Sequence, residues 1–415
     1  MIRINAPLLE SKDGKTVLKA FIENDKENLS GWLWFATDIE NGKFFCDEVA
    51  DAFVLPMILR SVKSQQDIEV MAPMSEKLFY NLNDSVFYAV SKSALVKTSK
   101  YIGLDINGKE WGIPAIKCSQ LVKMDFHPFA VGTGCSLGVD SFAVLKSNLF
   151  DKECPQSYKI THLTLFNAGA FGYTADDGAK ESFFREVEKT KCFADKMQLP
   201  FVWIDSNIRS FYPEASFDWC HTYLNMGIVL SMQKLWSKYL YASGYSIEYF
   251  KLDINDSASS EAFLLPRIST ENTELISAST NMRRSDKVKY IIKDEIVREN
   301  LYVCLKEQQA NSPYHSIIDD RGFLNCGHCK KCKRTMLQLD VLGQTDEFKR
   351  IFDWSDWEKE RIKYIAHVIA ERNNNDMFHD LYASMCENHY AIPFRSKVYA
   401  FLYCSYLQLR KVWKS

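Results

Sequence analysis

From about residue 126 the chain alternates short apolar runs with helical stretches, and this pattern limits the fold more than any other feature. The runs are PFAVGT (128–133), YKITHLTLFN (158–167), PFVWIDSN (200–207) and TELISAST (273–280). Between them lie ESFFREVEKTKCFADKMQL (181–199) and YLNMGIVLSMQKLWSKY (223–239), the latter leading into LYASGYS (240–246). A further helix is expected from Arg283 to Arg298. Short strands without polar alternation must be buried on both faces. That predicts a parallel sheet covered by helices, an α/β fold. In such sheets ligands bind at the carboxyl ends of the strands.

At 415 residues the chain exceeds one ordinary domain. Three parts are expected. Residues 1–125 read as an N-terminal α+β accessory domain: a strand at LSGWLWFAT (29–37), a buried helix at DAFVLPMILRSV (51–62) despite Pro56, and a hairpin over 100–118 turning at Asn107-Gly108. Residues 126–344 form the α/β domain. Residues 345–415 read as a helical C-terminal region.

The net charge of −2 gives no electrostatic case for nucleic acid or an anionic membrane. No run of about 18 apolar residues is present, so no membrane-spanning helix is expected. The first residues lack the apolar core of an export signal. A cytoplasmic setting follows as the expectation. There the twelve cysteines serve metal binding or burial rather than disulfides.

The stretch TGCSLGVDS (133–141) joins the first strand to a helix. Backbone N–H groups and the helix dipole favour an anion at such a junction. Gly134 and Gly138 allow close approach, and Ser136 and Ser141 offer hydroxyls to phosphate oxygens. Asp140 repels phosphate, so it either caps the helix or holds Mg²⁺. No lysine follows as in GxxxxGK[ST], and the spacing is not GxGxxG. A plain Gly/Ser turn with an aspartate cap fits the same residues.

NCGHCKKCKRTM (325–336) supplies Cys326, Cys329 and Cys332 as C-x2-C-x2-C, with Gly327 to turn the chain. Three thiolates at this spacing reach one Zn²⁺, and a closed site needs a fourth. Cys304 is the expected fourth ligand, with His315 as the alternative. An iron–sulfur cluster would use the same residue type.

Ser136-Leu137-Gly138-Val139-Asp140-Ser141 resembles the PP-loop, SGGxDS, of the ATP pyrophosphatase superfamily. With the Cys…CGxCxxC pattern downstream, residues 126–342 resemble the 7-cyano-7-deazaguanine synthase (QueC) family, whose relatives also occur in bacterial anti-phage systems. The departures are Leu137 where the family has Gly, a longer gap before Cys326, and extra sequence at both ends. The resemblance implies a Rossmann-like sheet with a structural zinc knuckle, and ATP and Mg²⁺ as cofactors. It implies adenylation of a carboxylate on a 7-deazaguanine-like base or a protein acceptor, then amide or nitrile formation. It places phosphates at Gly134, Ser136, Gly138, Asp140 and Ser141, and adenine at Phe166 and Asn167. Arg284 stands where the family has a catalytic lysine, beside Asp286, so Asp140, Ser141 and Arg284 are the expected catalytic set. Protein partners from the same system are expected. Two competitors stand beside this reading: a nucleotide-binding subunit without catalysis and a tRNA-modifying PP-loop enzyme.

Outside the motifs, Asp205 and Asn207 read as capping residues, His221 as a packing histidine and Cys135 as a small buried residue. Glu271 and the Ser269-Thr270 pair lie in a loop at the strand ends that suits substrate contact, by either.

Overall fold

The structure is a computed structural model that describes residues 1–95, 112–172, 177–304 and 322–412. The chain forms two compact units. One comprises Met1–Cys135 and Ser147–Thr280, the other Ser136–Lys146 and Asn281–Ser415.

The first unit is built on an eleven-stranded mixed sheet. Its strands are β1 (Ile2–Ile4), β2 (Leu8–Lys12), β3 (Lys15–Glu23), β4 (Gly31–Asp38), β5 (Ile68–Val70), β7 (Ile116–Cys118), β9 (Ala130–Gly134), β10 (His162–Phe166), β11 (Phe201–Ser206), β12 (Trp236–Ala242) and β13 (Glu274–Ala278). A separate pair joins β6 (Met74–Ser75) to β8 (Leu121–Val122). Five strands run parallel in the order β13-β12-β9-β10-β11. The chain moves outward from β9 to β11, then returns to the other side with β12 and β13. The order therefore reverses at β9, and TGCSLGVDS begins at the carboxyl end of that strand.

The four apolar runs that define the alternation are all strands, as expected. The N-terminal strands are not a separate layer. β11 pairs antiparallel with β4, aligning Asp205 with Ala36 and Ser206 with Phe35. The sheet continues through β3, β1, β5 and β7. The Asn207 side chain extends the join, accepting from Trp34 N at 2.9 Å and donating to Trp32 O at 2.7 Å. One core contains Ile4, Phe35 and Phe53 together with Ile204, Leu224 and Trp236. Gly227, in the helix Phe217–Leu230, seals this core. A Cβ there would lie 2.8 Å from Pro56 Cγ and 2.9 Å from Ala52 O. The expected boundaries at 125/126 and 344/345 thus do not separate the compact units.

Two element boundaries also differ from expectation. The stretch 223–239 is not one helix: the helix ends at Leu230, and Trp236 starts β12. LWSKY is apolar and aromatic enough for either state, and pairing with β9 and β13 decides it. The segment 51–62 is helical and buried, with a tighter turn at Leu55–Met57 around Pro56. The hairpin turn at Asn107-Gly108 lies outside the described residues.

The second unit is helical: α1 (Val139–Leu145), α2 (Arg284–Ile291), α3 (Glu295–Asn300), α4 (Lys330–Val341), α5 (Trp357–Glu371), α6 (Asp376–Glu387) and α7 (Phe394–Val412). The helix expected over 283–298 is broken in two, with Asp294 as the entry residue of α3. The helical C-terminal region is present as α5 to α7. No described helix is long and apolar enough to cross a membrane.

Candidate functional site

The loop that begins α1 is held from inside the second unit. Ser136 N donates to Ser141 Oγ at 3.2 Å, and the two hydroxyls lie 3.1 Å apart. Phe142 N donates to Gly138 O, the first bond of α1. The positive φ falls on Leu137, at 56°, while Gly138 has φ −82°. A left-handed leucine costs about 1–2 kcal/mol. Burial of its side chain, 4% exposed, offsets this by about 1.5–3 kcal/mol. Its carbonyl accepts from Tyr302 N at 2.8 Å. Leu137→Gly is therefore expected to lower stability by about 1 kcal/mol in a urea titration, because lost burial exceeds relieved strain.

Asp140 sits in the first turn of α1. Arg284 donates to one carboxylate oxygen, and Lys287 Nζ lies 3.3 Å from the other. Arg284 and Lys287 are three residues apart on one face of α2. Lys287 is fully buried. Burial pushes the Asp140 pKa up, but Arg284, then Lys287 and Arg334, outweigh it and hold the carboxyl below its usual range. Lys331 belongs to the same cluster. Burial, then Arg284 and Arg334, lower its pKa to about 8. Two cationic side chains of α2 thus contact one carboxylate, and Arg334 and Lys331 of α4 act on the same cluster electrostatically. Arg284 was expected here, whereas Lys287, Lys331 and Arg334 were not. The i,i+3 spacing of Arg284 and Lys287 was the available sequence signal.

Cys304, Cys326, Cys329 and Cys332 come together as expected, with all four sulfurs within 4.8 Å of one another. A tetrahedral zinc–thiolate site has sulfurs about 3.8 Å apart. Cys326 and Cys332 Sγ are separated by 3.8 Å. The four residues fit a metal such as zinc. Cys326 Sγ accepts from His328 N and Cys329 N, and Cys329 Sγ from Cys332 N, so the backbone supports thiolate charge. Asn325 brings the distant Cys304 to the knuckle. It accepts from Val303 N at 2.8 Å and donates to Leu301 O at 2.8 Å. His315 lies outside the described residues. Gly327 has φ 73°, and a Cβ there would meet Asp353 O at 2.1 Å. Gly327→Ala should cost at least about 2 kcal/mol in thermal unfolding and weaken zinc retention against a chelator.

Comparison with known proteins adds no identity. No family model, curated protein or solved structure matches the chain.

The remaining predicted positions, Asp286 apart, belong to the first unit. Gly134 ends β9, and Phe166 ends β10, its ring stacked on Tyr239 at 5.9 Å. Asn167 N donates to Ile204 O, and its side-chain amide donates to Asp205 Oδ1 at 2.8 Å. Asp205 also accepts from Ser206 N inside β11, so it caps no helix; Asn207 stands at the entry of the following turn, Ile208–Phe211. His221 packs on Phe217 and bonds the Tyr241 hydroxyl at 3.0 Å. Glu271 accepts from Lys77 N at 2.7 Å. Cys135 is fully buried, its N–H bonded to Thr164 O. Asp286 accepts from Arg283 N and pairs with the Arg283 guanidinium, so it orders the start of α2.

In the second unit, hydroxyls, backbone groups, the buried Lys287 and the partly buried Arg284 meet at one helix start. Chemically, this arrangement suits a multiply charged anion.

Proposed function

We propose that this chain is an ATP-dependent enzyme of the PP-loop class, similar to 7-cyano-7-deazaguanine synthase, that activates a carboxylate by adenylation. The observation that carries the proposal is the cation cluster on Asp140 beside Ser136 and Ser141. A lone helix cap needs no such cluster, whereas a triphosphate does. The resemblance, not the geometry, supplies the adenylation chemistry and the 7-deazaguanine-like or protein acceptor.

In this reading Ser136, Ser141 and the loop N–H groups hold phosphate oxygens. Arg284 and Lys287 transfer from Asp140 to the phosphates as these arrive. A carboxylate oxygen of the acceptor attacks the α-phosphorus, and pyrophosphate leaves with its charge stabilised by the same cations. An amine or ammonia then attacks the acyl carbon and AMP leaves, giving an amide; with ammonia, a second ATP adenylates the amide oxygen and its AMP carries that oxygen away, giving a nitrile. Asp140, once released by its two cations, would hold Mg²⁺, which supplies further charge neutralisation on the phosphates. The nucleotide roles of Gly134, Phe166 and Asn167 rest on the resemblance alone. Zinc at the four cysteines is structural. Partners from a bacterial anti-phage system and a cytoplasmic setting belong to the same proposal.

A second reading, a nucleotide-binding subunit without turnover, draws on two observations. Both Asp140 oxygens are engaged by cations, and Leu137 strains the loop. Titration with ATP and MgCl₂ tests the shared first step. The wild type should bind, and Lys287→Ala should weaken binding about tenfold or more. Absence of binding by wild type would remove both readings.

A further inference from the structure

The first turn of α2 carries both cations onto Asp140, yet its entry residue, Arg283, offers no side-chain acceptor to the exposed N–H groups. The acceptor comes from α6, about a hundred residues later in the chain. Asp380 Oδ2 accepts from Ser285 N at 2.9 Å, and Asp380 Oδ1 accepts from the Ser285 hydroxyl. Both oxygens of one buried carboxylate, 3% exposed, are spent on a single serine. About two turns later on α6, Glu387 takes Arg283 Nη2 through both of its oxygens, at 3.0 and 3.1 Å. Arg283 Nε lies 3.8 Å from Asp380 Oδ1. Residues 283 and 285, on either side of Arg284, are thus fixed by one helix.

We infer that Asp380 is a positioning residue for the anion site: it caps α2 across the fold and thereby sets where Arg284 and Lys287 present their charges. Burying a carboxylate is costly, and an apolar contact would pack α6 on α2 without that cost. What the carboxylate adds is a fixed rotation and depth of the first helical turn. The C-terminal helices, which lie outside the family resemblance, are on this view part of the phosphate site's scaffold. The inference rests on the proposed function only for the identity of the anion.

The test compares wild type, Asp380→Ala, Asp380→Asn and Ser285→Ala in the full-length, zinc-loaded protein. Two readouts are taken at a temperature where circular dichroism shows all four folded. One is affinity for ATP and MgCl₂. The other is the Asp140 carboxyl titration, followed by ¹³C NMR. Asp380→Ala should weaken ATP binding about tenfold or more and move the Asp140 titration toward higher pH, as Arg284 withdraws. Asp380→Asn keeps an acceptor for Ser285 N, and so should restore both to near wild type. Ser285→Ala should fall between. A lowered melting temperature in Asp380→Ala with ATP affinity and Asp140 titration unchanged would overturn the inference and leave Asp380 a structural cap. Wild type that fails to bind ATP would defeat the proposed function alone, because the Asp140 titration still decides the positioning.

Discussion

Replacing Cys332 by serine should release the metal and unfold the knuckle, the largest single effect expected in this protein. Cys332 is fully buried in the first turn of α4, with its sulfur 3.8 Å from Cys326. A hydroxyl is a poor zinc ligand, and three thiolates without a fourth leave an open, weaker site. Structural zinc contributes about 10–16 kcal/mol to the folding of small knuckles, so losing most of it exceeds the whole stability of a typical domain. The effect should not stay local. Tyr302, two residues before Cys304, donates to Leu137 O and so supports the strained loop. Loss of the knuckle removes that support, and ATP affinity should fall with it. Zinc content by a chromogenic chelator, with a parallel ATP titration, checks both parts. Wild type should carry about one zinc per chain. A folded, zinc-free protein with unchanged ATP binding would contradict the account.

The second large effect is expected for Arg284→Ala. It removes the guanidinium from a mostly buried carboxylate, and breaking one side of such a pair costs about 3–5 kcal/mol. Lys287 remains on the other oxygen, so a loss near about 3 kcal/mol is expected. The pH dependence has a definite sign. The folded-state pKa of Asp140 is depressed, so its stabilising contribution is present above the unfolded value, about 4, and is lost as pH falls through the folded value. Arg284→Ala raises the folded value, which should move the acid-unfolding midpoint to higher pH. ATP affinity should fall about a hundredfold, because the charge lost lies where the phosphates are proposed to sit.

The parts legible in the sequence were those with local signals. The strands β9 to β11 and β13 announce themselves as short apolar runs between helices. The three knuckle cysteines are set by spacing alone, and the loop by its small residues at a strand–helix junction. What stayed hidden depends on distant pairing. The antiparallel join of β11 to β4 links residues about 170 apart, and nothing near Phe35 or Asp205 marks it. Trp236 could enter either a helix or a strand until its neighbours were known. Asp380 reads as one more charge on an amphipathic helix, and only its placement against Ser285 reveals the cap. Leu137 departs from the glycine of the resembled motif. The structure gives the departure its physical meaning, a left-handed residue retained through the burial of its side chain.

The most direct test of the central claim is pyrophosphate release from ATP and MgCl₂, with 7-carboxy-7-deazaguanine present or absent, in wild type and Asp140→Ala. The account predicts release that requires the deazapurine and disappears in the variant. ATP that binds without any release would contradict catalysis on this substrate and leave the nucleotide-binding reading in its place.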